Sequence, residues 1–146
     1  MKFLFLFGPN LNLLGLREPQ IYGHTGYAEL CDRIRSYCAA RGVEAVCFQS
    51  NHEGALIDAI HEFRTEGDGI IINAGAYTHT SIALLDALLA VGMPAVEVHL
   101  SDPAKREEFR RVSYLRAACL DAFCGLGPQG YDRAIDRLLT AIQEQS

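Results

Sequence analysis

Two pairs of residues in this 146-residue chain have types and spacings suited to moving protons. Glu97 and His99 stand two apart in "PAVEVHLS". On a strand, residues two apart share a face. The carboxylate can therefore hold one ring nitrogen of His99 and raise its basicity, leaving the other nitrogen for proton transfer. The same spacing also suits a satisfied buried ion pair with no catalytic part. Arg17 and Tyr22 stand five apart in "NLNLLGLREPQIYGHTG", a turn-rich stretch without an apolar stripe. A phenol ordinarily ionises near pH ~10, and a guanidinium a few ångströms away lowers that by ~1–3 units, which would make Tyr22 a usable base near neutrality. Arg17 keeps its own charge throughout. A loop that closed over a bound molecule and excluded water would strengthen the effect. If Tyr22 merely packs and Arg17 is solvated, the pair does no chemistry.

Further polar groups follow other apolar runs: Asn10 and Asn12 after "FLFLF", Asn51, His52 and Glu53 in "QSNHEG", Asn73, Tyr77, His79 and Ser81 in "NAGAYTHTS", and Ser101 after His99. Taken singly, Asn51 and Asn73 read as turn or cap residues, and His52 and His61 as surface histidines. Asp86, inside "SIALLDALLAV", reads either as a solvent edge or as a buried or intersubunit residue. The glycines of "CGLGPQG" read as structural, a tight turn into the last helix.

Several chemistries are argued against by missing residues. Lys2 begins a strand and Lys105 lies in a charged stretch, so Schiff-base catalysis has no convincing nucleophile. Neither GxGxxG nor GxxxxGK[ST] occurs, and no acidic cluster of the receiver-domain kind follows the first apolar run. The five cysteines are odd in number and lack CxxC spacing, so buried reduced thiols are expected rather than a disulfide or a zinc site.

The elements that must position these groups follow from periodicity. Strand-like runs cover residues 3–7, 43–48, 69–72, 94–98 and 119–124. Between them, residues 26–41 place Tyr27, Leu30, Ile34, Tyr37 and Cys38 on one helical stripe ended by Gly42. Ser50 and Glu53 fit a capping box for a helix carrying Leu56, Ile60 and Phe63 and ended by Gly67. Residues 81–91 form a mostly apolar helix stopped by Gly92 and Pro94, and residues 128–143 a fourth with Ile135, Leu138, Leu139 and Ile142. This alternation predicts a parallel α/β sheet of five strands, order 2-1-3-4-5, with helices on both faces. Such sheets bind ligands beyond the carboxyl ends of the strands, where the polar residues cluster.

A chain with 49% hydrophobic and 21% charged residues has a globular composition, and no window approaches the ~18 apolar residues of a membrane span. "MKFLFLFGPN" is too short for a secretory signal and reads as a strand, so a cytoplasmic location is expected. A net charge of −5 disfavours nucleic acid and anionic membrane surfaces as partners.

"FGPNLNLLGLREPQIYG", "QSNHEGALIDAIHE", "IIINAGAYTHTSIALLDAL", "EVHLS" and "CGLGPQGY" together resemble the type II 3-dehydroquinate dehydratases of the shikimate and quinate pathways, in family order over nearly the whole chain. The resemblance implies a flavodoxin-like three-layer sandwich, one catalytic domain over 1–146 with a lid at about 16–25, and no cofactor or metal. It also implies reversible dehydration of 3-dehydroquinate by anti elimination through an enolate. In that likeness Tyr22 is the base for the C2 proton, with Arg17 keeping it ionised. His99, oriented by Glu97, is the acid for the C1 hydroxyl, and Asn10 holds a water at the enolate oxygen. Asn73, His79 and Arg110 bind ring hydroxyls, and Leu100 and Ser101 receive the carboxylate. Asp86 reaches a neighbouring subunit in trimers that build a homo-dodecamer.

The chain departs from the family where N-x-x-A-R-E is common, having Asp102, Pro103, Ala104, Lys105 and Arg106, and in "VSYLRAACLDAF" with Arg116 and Cys119. These changes are expected to bear on affinity and assembly and to leave the acid and base untouched. Asp102 would weaken carboxylate binding if it pointed inward. Two competing readings are a non-catalytic flavodoxin-like module that binds a small anion or nucleotide, and a purely structural assembly subunit.

Overall fold

A run such as "FLFLF" has no polar side, so it needs cover on both faces. The computed structural model, which describes residues 1–16, 20 and 25–146, makes this run the central strand β1 (Lys2–Phe7). β1 pairs in parallel with β2 (Glu44–Gln49) on one side and β3 (Gly69–Asn73) on the other. β4 (Ala95–His99) and β5 (Asp121–Cys124) extend the sheet in the expected order, β2-β1-β3-β4-β5.

Helices α1 (Tyr27–Ala39) and α4 (Gln129–Gln145) cover one face, where Leu30, Ile34, Ile135 and Leu138 pack with Phe3, Phe5 and Phe7. Helices α2 (Glu53–Phe63) and α3 (Ile82–Val91) cover the other, where Leu56, Ile60, Leu84 and Leu88 pack with Leu4, Leu6, Ile70 and Ile72. Each such fully buried side chain contributes about 1.5–3 kcal/mol of transfer free energy. The result is the flavodoxin-like three-layer arrangement. All five cysteines are free, Cys31 and Cys38 buried and Cys47, Cys119 and Cys124 half-buried.

Gly42 (φ 72°) does follow α1, and the amide of Val43 returns to the Cys38 carbonyl at 2.9 Å. Ser81 caps α3 by accepting the Leu84 amide at 3.0 Å. The capping box at Ser50 does not form. The Ser50 amide still donates to the Phe7 carbonyl at 3.0 Å, continuing the β1–β2 ladder, so His52 takes the N-cap position instead. α2 ends at Phe63, before Gly67, whose role is spatial: a Cβ there would lie 1.9 Å from the Phe63 ring. β4 runs one residue further than expected, to His99. β5 begins two residues later because Leu115–Ala118 wind a 3-10 turn that ends at Cys119.

The sheet order reverses between β1 and β3, and here their exits touch. The Gly8 amide donates to the Asn73 carbonyl at 2.8 Å. A Cβ on Gly8 would lie 2.1 Å from the Ala74 carbonyl oxygen, so only glycine permits this approach.

Candidate active site

Beyond the carboxyl ends of β1, β3 and β4 lies a cavity of about 260 Å³. β1 delivers Asn10, β3 delivers Asn73 and, through a 3-10 turn (Gly75–His79), His79, and β4 delivers His99, Leu100 and Ser101. A further 3-10 turn (Glu108–Arg110) adds Arg110. Arg106, which lies in the segment that departs from the family pattern, joins the wall.

Asn10 has φ 70°, a left-handed conformation that asparagine tolerates better than most residues but still pays for. Its amide donates to the Asn51 side-chain oxygen at 3.0 Å, an atom that also accepts the Gln49 side-chain amide at 3.1 Å. Tyr77 donates its hydroxyl to the Asn51 carbonyl at 2.9 Å. Asn51 is therefore a brace between strand exits rather than a helix cap.

The other walls are fastened in similar ways. Nδ1 of His79 meets the Val112 carbonyl at 2.7 Å. A carbonyl only accepts, so Nδ1 carries the proton and Nε2 is the nitrogen left to accept one. Arg110 Nε donates to Glu107 at 2.7 Å. The Gly125 amide donates to the carbonyls of His99 and Ser101, and that of Gly127 to Leu100, each at 3.1 Å. The "CGLGPQG" turn thus fixes the segment that carries Leu100 and Ser101 as well as entering α4. Asp102 does not line the cavity; its Oδ1 accepts the Ala104 amide at 3.0 Å and caps the turn Pro103–Lys105.

His99 has its Nε2 against Oε2 of Glu97, whose side chain is 0% exposed. The other carboxylate oxygen accepts the Ser113 hydroxyl at 2.9 Å and Arg116 Nε at 3.4 Å. Burial by itself pushes the Glu97 carboxyl up. The hydrogen bond and charge of His99, the charge of Arg116 and the Ser113 hydroxyl outweigh it and hold the group below the usual carboxylate range. The expectation was that the departure at Arg116 touches neither the proposed acid nor the base, yet its guanidinium bonds Glu97, the carboxylate that meets His99. Ser113 was not anticipated at all, since nothing in spacing joins it to Glu97 across 16 residues of chain. The tertiary link is short. Tyr114 donates its amide to Thr78 at 3.0 Å, and Leu115 is fully buried, which pins the segment beside β4.

Arg17, Tyr22 and most of the expected lid at 16–25 lie outside the described residues. Asp86 is exposed on α3, one helical turn from Ile82 (55% exposed) and Leu89 (57%), and does not reach the cavity of its own chain. Lys2 sits at the opposite end of β1, and neither lysine lines the cavity. Among the described residues no group of three His, Cys, Asp or Glu is arranged to hold a metal ion.

The family model for class II dehydroquinases matches residues 1–139. A 3-dehydroquinate dehydratase of Carboxydothermus hydrogenoformans is 51% identical over 145 residues, covering 99% of this chain and 94% of its own length. A catabolic 3-dehydroquinase of Verticillium alfalfae is 50% identical over 135 residues, covering 92% and 90%. The crystal structure of a type II dehydroquinase from Butyrivibrio crossotus superimposes with a TM-score of 0.93 at 48% identity, covering 95% of this chain and 97% of that one. With the fold, the strand-end cavity and these likenesses together, the chain belongs to the class II dehydroquinase family.

Proposed function

We propose that this protein catalyses the reversible dehydration of 3-dehydroquinate to 3-dehydroshikimate, without a Schiff base and without a cofactor. The observation that carries the reading is His99, backed by the buried Glu97 and opening into a cavity walled by Asn10, Asn73, His79 and Arg110. Tyr22, ionised under the influence of Arg17, removes the C2 proton. The electron pair moves to the C3 carbonyl oxygen as an enolate, which a water held by Asn10 stabilises. The enolate then collapses with loss of the C1 hydroxyl on the opposite face, and His99 protonates it so that it leaves as water. Asn73, His79 and Arg110 bind the ring hydroxyls. The segment Leu100–Ser101 receives the carboxylate, and Glu97 keeps His99 oriented. That neither Lys2 nor Lys105 lines the cavity supports a route with no imine.

In the same reading residues 1–146 are one catalytic domain in the cytoplasm, with residues 16–25 closing over substrate. Asp86 serves the site of a neighbouring copy within a trimer, and trimers build a dodecamer. The exposed Ile82 and Leu89 beside Asp86 support this, as an apolar stripe that another copy would cover. Among the described residues no helix is long and apolar enough to cross a membrane. The reaction serves either aromatic biosynthesis or quinate breakdown; some relatives are named 3-dehydroquinate dehydratase and others catabolic 3-dehydroquinase.

Purified protein incubated with 3-dehydroquinate should generate the absorbance of a conjugated enone, and borohydride added with substrate should leave activity intact. Tyr22→Phe should lower kcat by ~10²–10⁴-fold, the range for loss of a general base. Absence of enone from the native protein would overturn the assignment, and full activity in the variant would remove Tyr22 from its role.

A further inference from the structure

We infer that Arg116 is a positioning residue for the acid of this reaction: with Ser113 it holds the buried Glu97 carboxylate on His99. The inference rests on the proposed dehydration.

A carboxylate with one oxygen on an imidazole and the other unpartnered in the interior would rotate, or take up a proton, to satisfy itself. Ser113 and Arg116 prevent both. Each bonds Oε1, at 2.9 and 3.4 Å, so that Oε2 stays on Nε2 of His99. Their contributions differ in kind. The serine hydroxyl orients without adding charge, whereas the guanidinium also favours the charged form of the carboxylate. Arg116 does not line the cavity, so it acts through Glu97 and not on substrate. Its Nη2 also donates to the Cys124 thiol at 3.7 Å, and Cys124 is the β5 residue in register with His99. The guanidinium is thereby held between β4 and β5.

The remaining titratable groups around the pair are few. The Cys119 thiol comes from the 3-10 turn, the Cys124 thiol from β5, and His79, Arg106 and Arg110 from the cavity wall. Among the described residues Glu97 is the one carboxylate bonded to His99, and Arg116 the one arginine bonded to Glu97. Because 54% of the Arg116 side chain is exposed, its influence is screened by water, and a modest effect is expected.

The test compares native protein with Arg116→Gln, Arg116→Lys and Ser113→Ala. It records kcat and KM for 3-dehydroquinate, and the His99 ring resonances in the free proteins. In Arg116→Gln kcat should fall about fivefold with KM changed less than about twofold, and the His99 ring resonances should move, because Oε2 of Glu97 is no longer held on Nε2. Arg116→Lys should recover the native kcat and resonances, and Ser113→Ala should lower kcat a few-fold. A kcat and His99 resonances in Arg116→Gln that coincide with the native ones would overturn the inference. The resonance is read without turnover, so the two ideas are separable: no enone from native protein sinks the dehydratase reading, and an unmoved resonance sinks the role of Arg116.

Discussion

Along the seam between α1 and α4, Asp136 accepts from Arg41 Nε at 3.0 Å and from the Tyr37 hydroxyl at 2.8 Å, with 54% of its side chain in water. At the end of β4, Glu97 also accepts from an arginine and a hydroxyl, and none of its side chain is exposed. The partner types are nearly the same, so the difference between the sites is burial. In the seam each group has water as an alternative partner, and such pairs contribute about 0–1 kcal/mol. In the interior there is no alternative, and breaking a buried pair costs about 3–5 kcal/mol in well-studied cases. An arrangement that exacting is useful where it directs a proton, and Glu97 is the carboxylate that meets a cavity-lining histidine.

Removing the buried carboxylate should give the largest effect. Glu97→Gln should lower kcat for 3-dehydroquinate by about a hundredfold or more, with a smaller change in KM, because a neutral amide brings no negative charge to the imidazole. A fall of less than threefold in the enone assay would make Glu97 as incidental to catalysis as Asp136.

The next effect is on acid stability. The folded carboxyl of Glu97 lies below the ordinary value of ~4.3 expected for the unfolded chain. Its stabilisation is therefore fully present above that pH and is lost as pH falls through the folded value. Between pH 6 and pH 3 the urea midpoint of native protein should drop more than that of Glu97→Gln. Parallel curves would mean that the folded carboxyl is not depressed.

The smallest effect belongs to the seam. Asp136→Asn should cost at most ~1 kcal/mol by urea unfolding, less at high salt, with kcat unchanged. A loss of several kcal/mol there would erase the distinction between the two sites.

How much of this was readable beforehand varies by element. The strands around Phe3–Phe7 and Ile70–Ile72 and the stops at Gly42 and Gly92 were legible, because each is a local matter of apolar runs and of chain reversal. Glu97 and His99 were legible as partners for the same reason, since period two is a property of any strand. The capping box was misread because Ser50 is claimed by a strand exit 43 residues earlier in the chain. Asn51 looked like a turn residue, yet its side chain serves Asn10.

By itself, then, the sequence determined the layer order, the faces of the core and the set of strand ends that carry polar groups, since these depend on periodicity and on the few topologies that right-handed crossovers allow. Only the tertiary structure decided that Ser113 and Arg116 share Glu97 with His99, that Gly8 and Ala74 meet backbone to backbone, and that the Gly125–Gly127 turn anchors residues 99–101. Those are contacts between segments distant in the chain. Their partners are chosen by which surfaces the packed sheet brings within hydrogen-bonding reach, a distance that no residue spacing encodes.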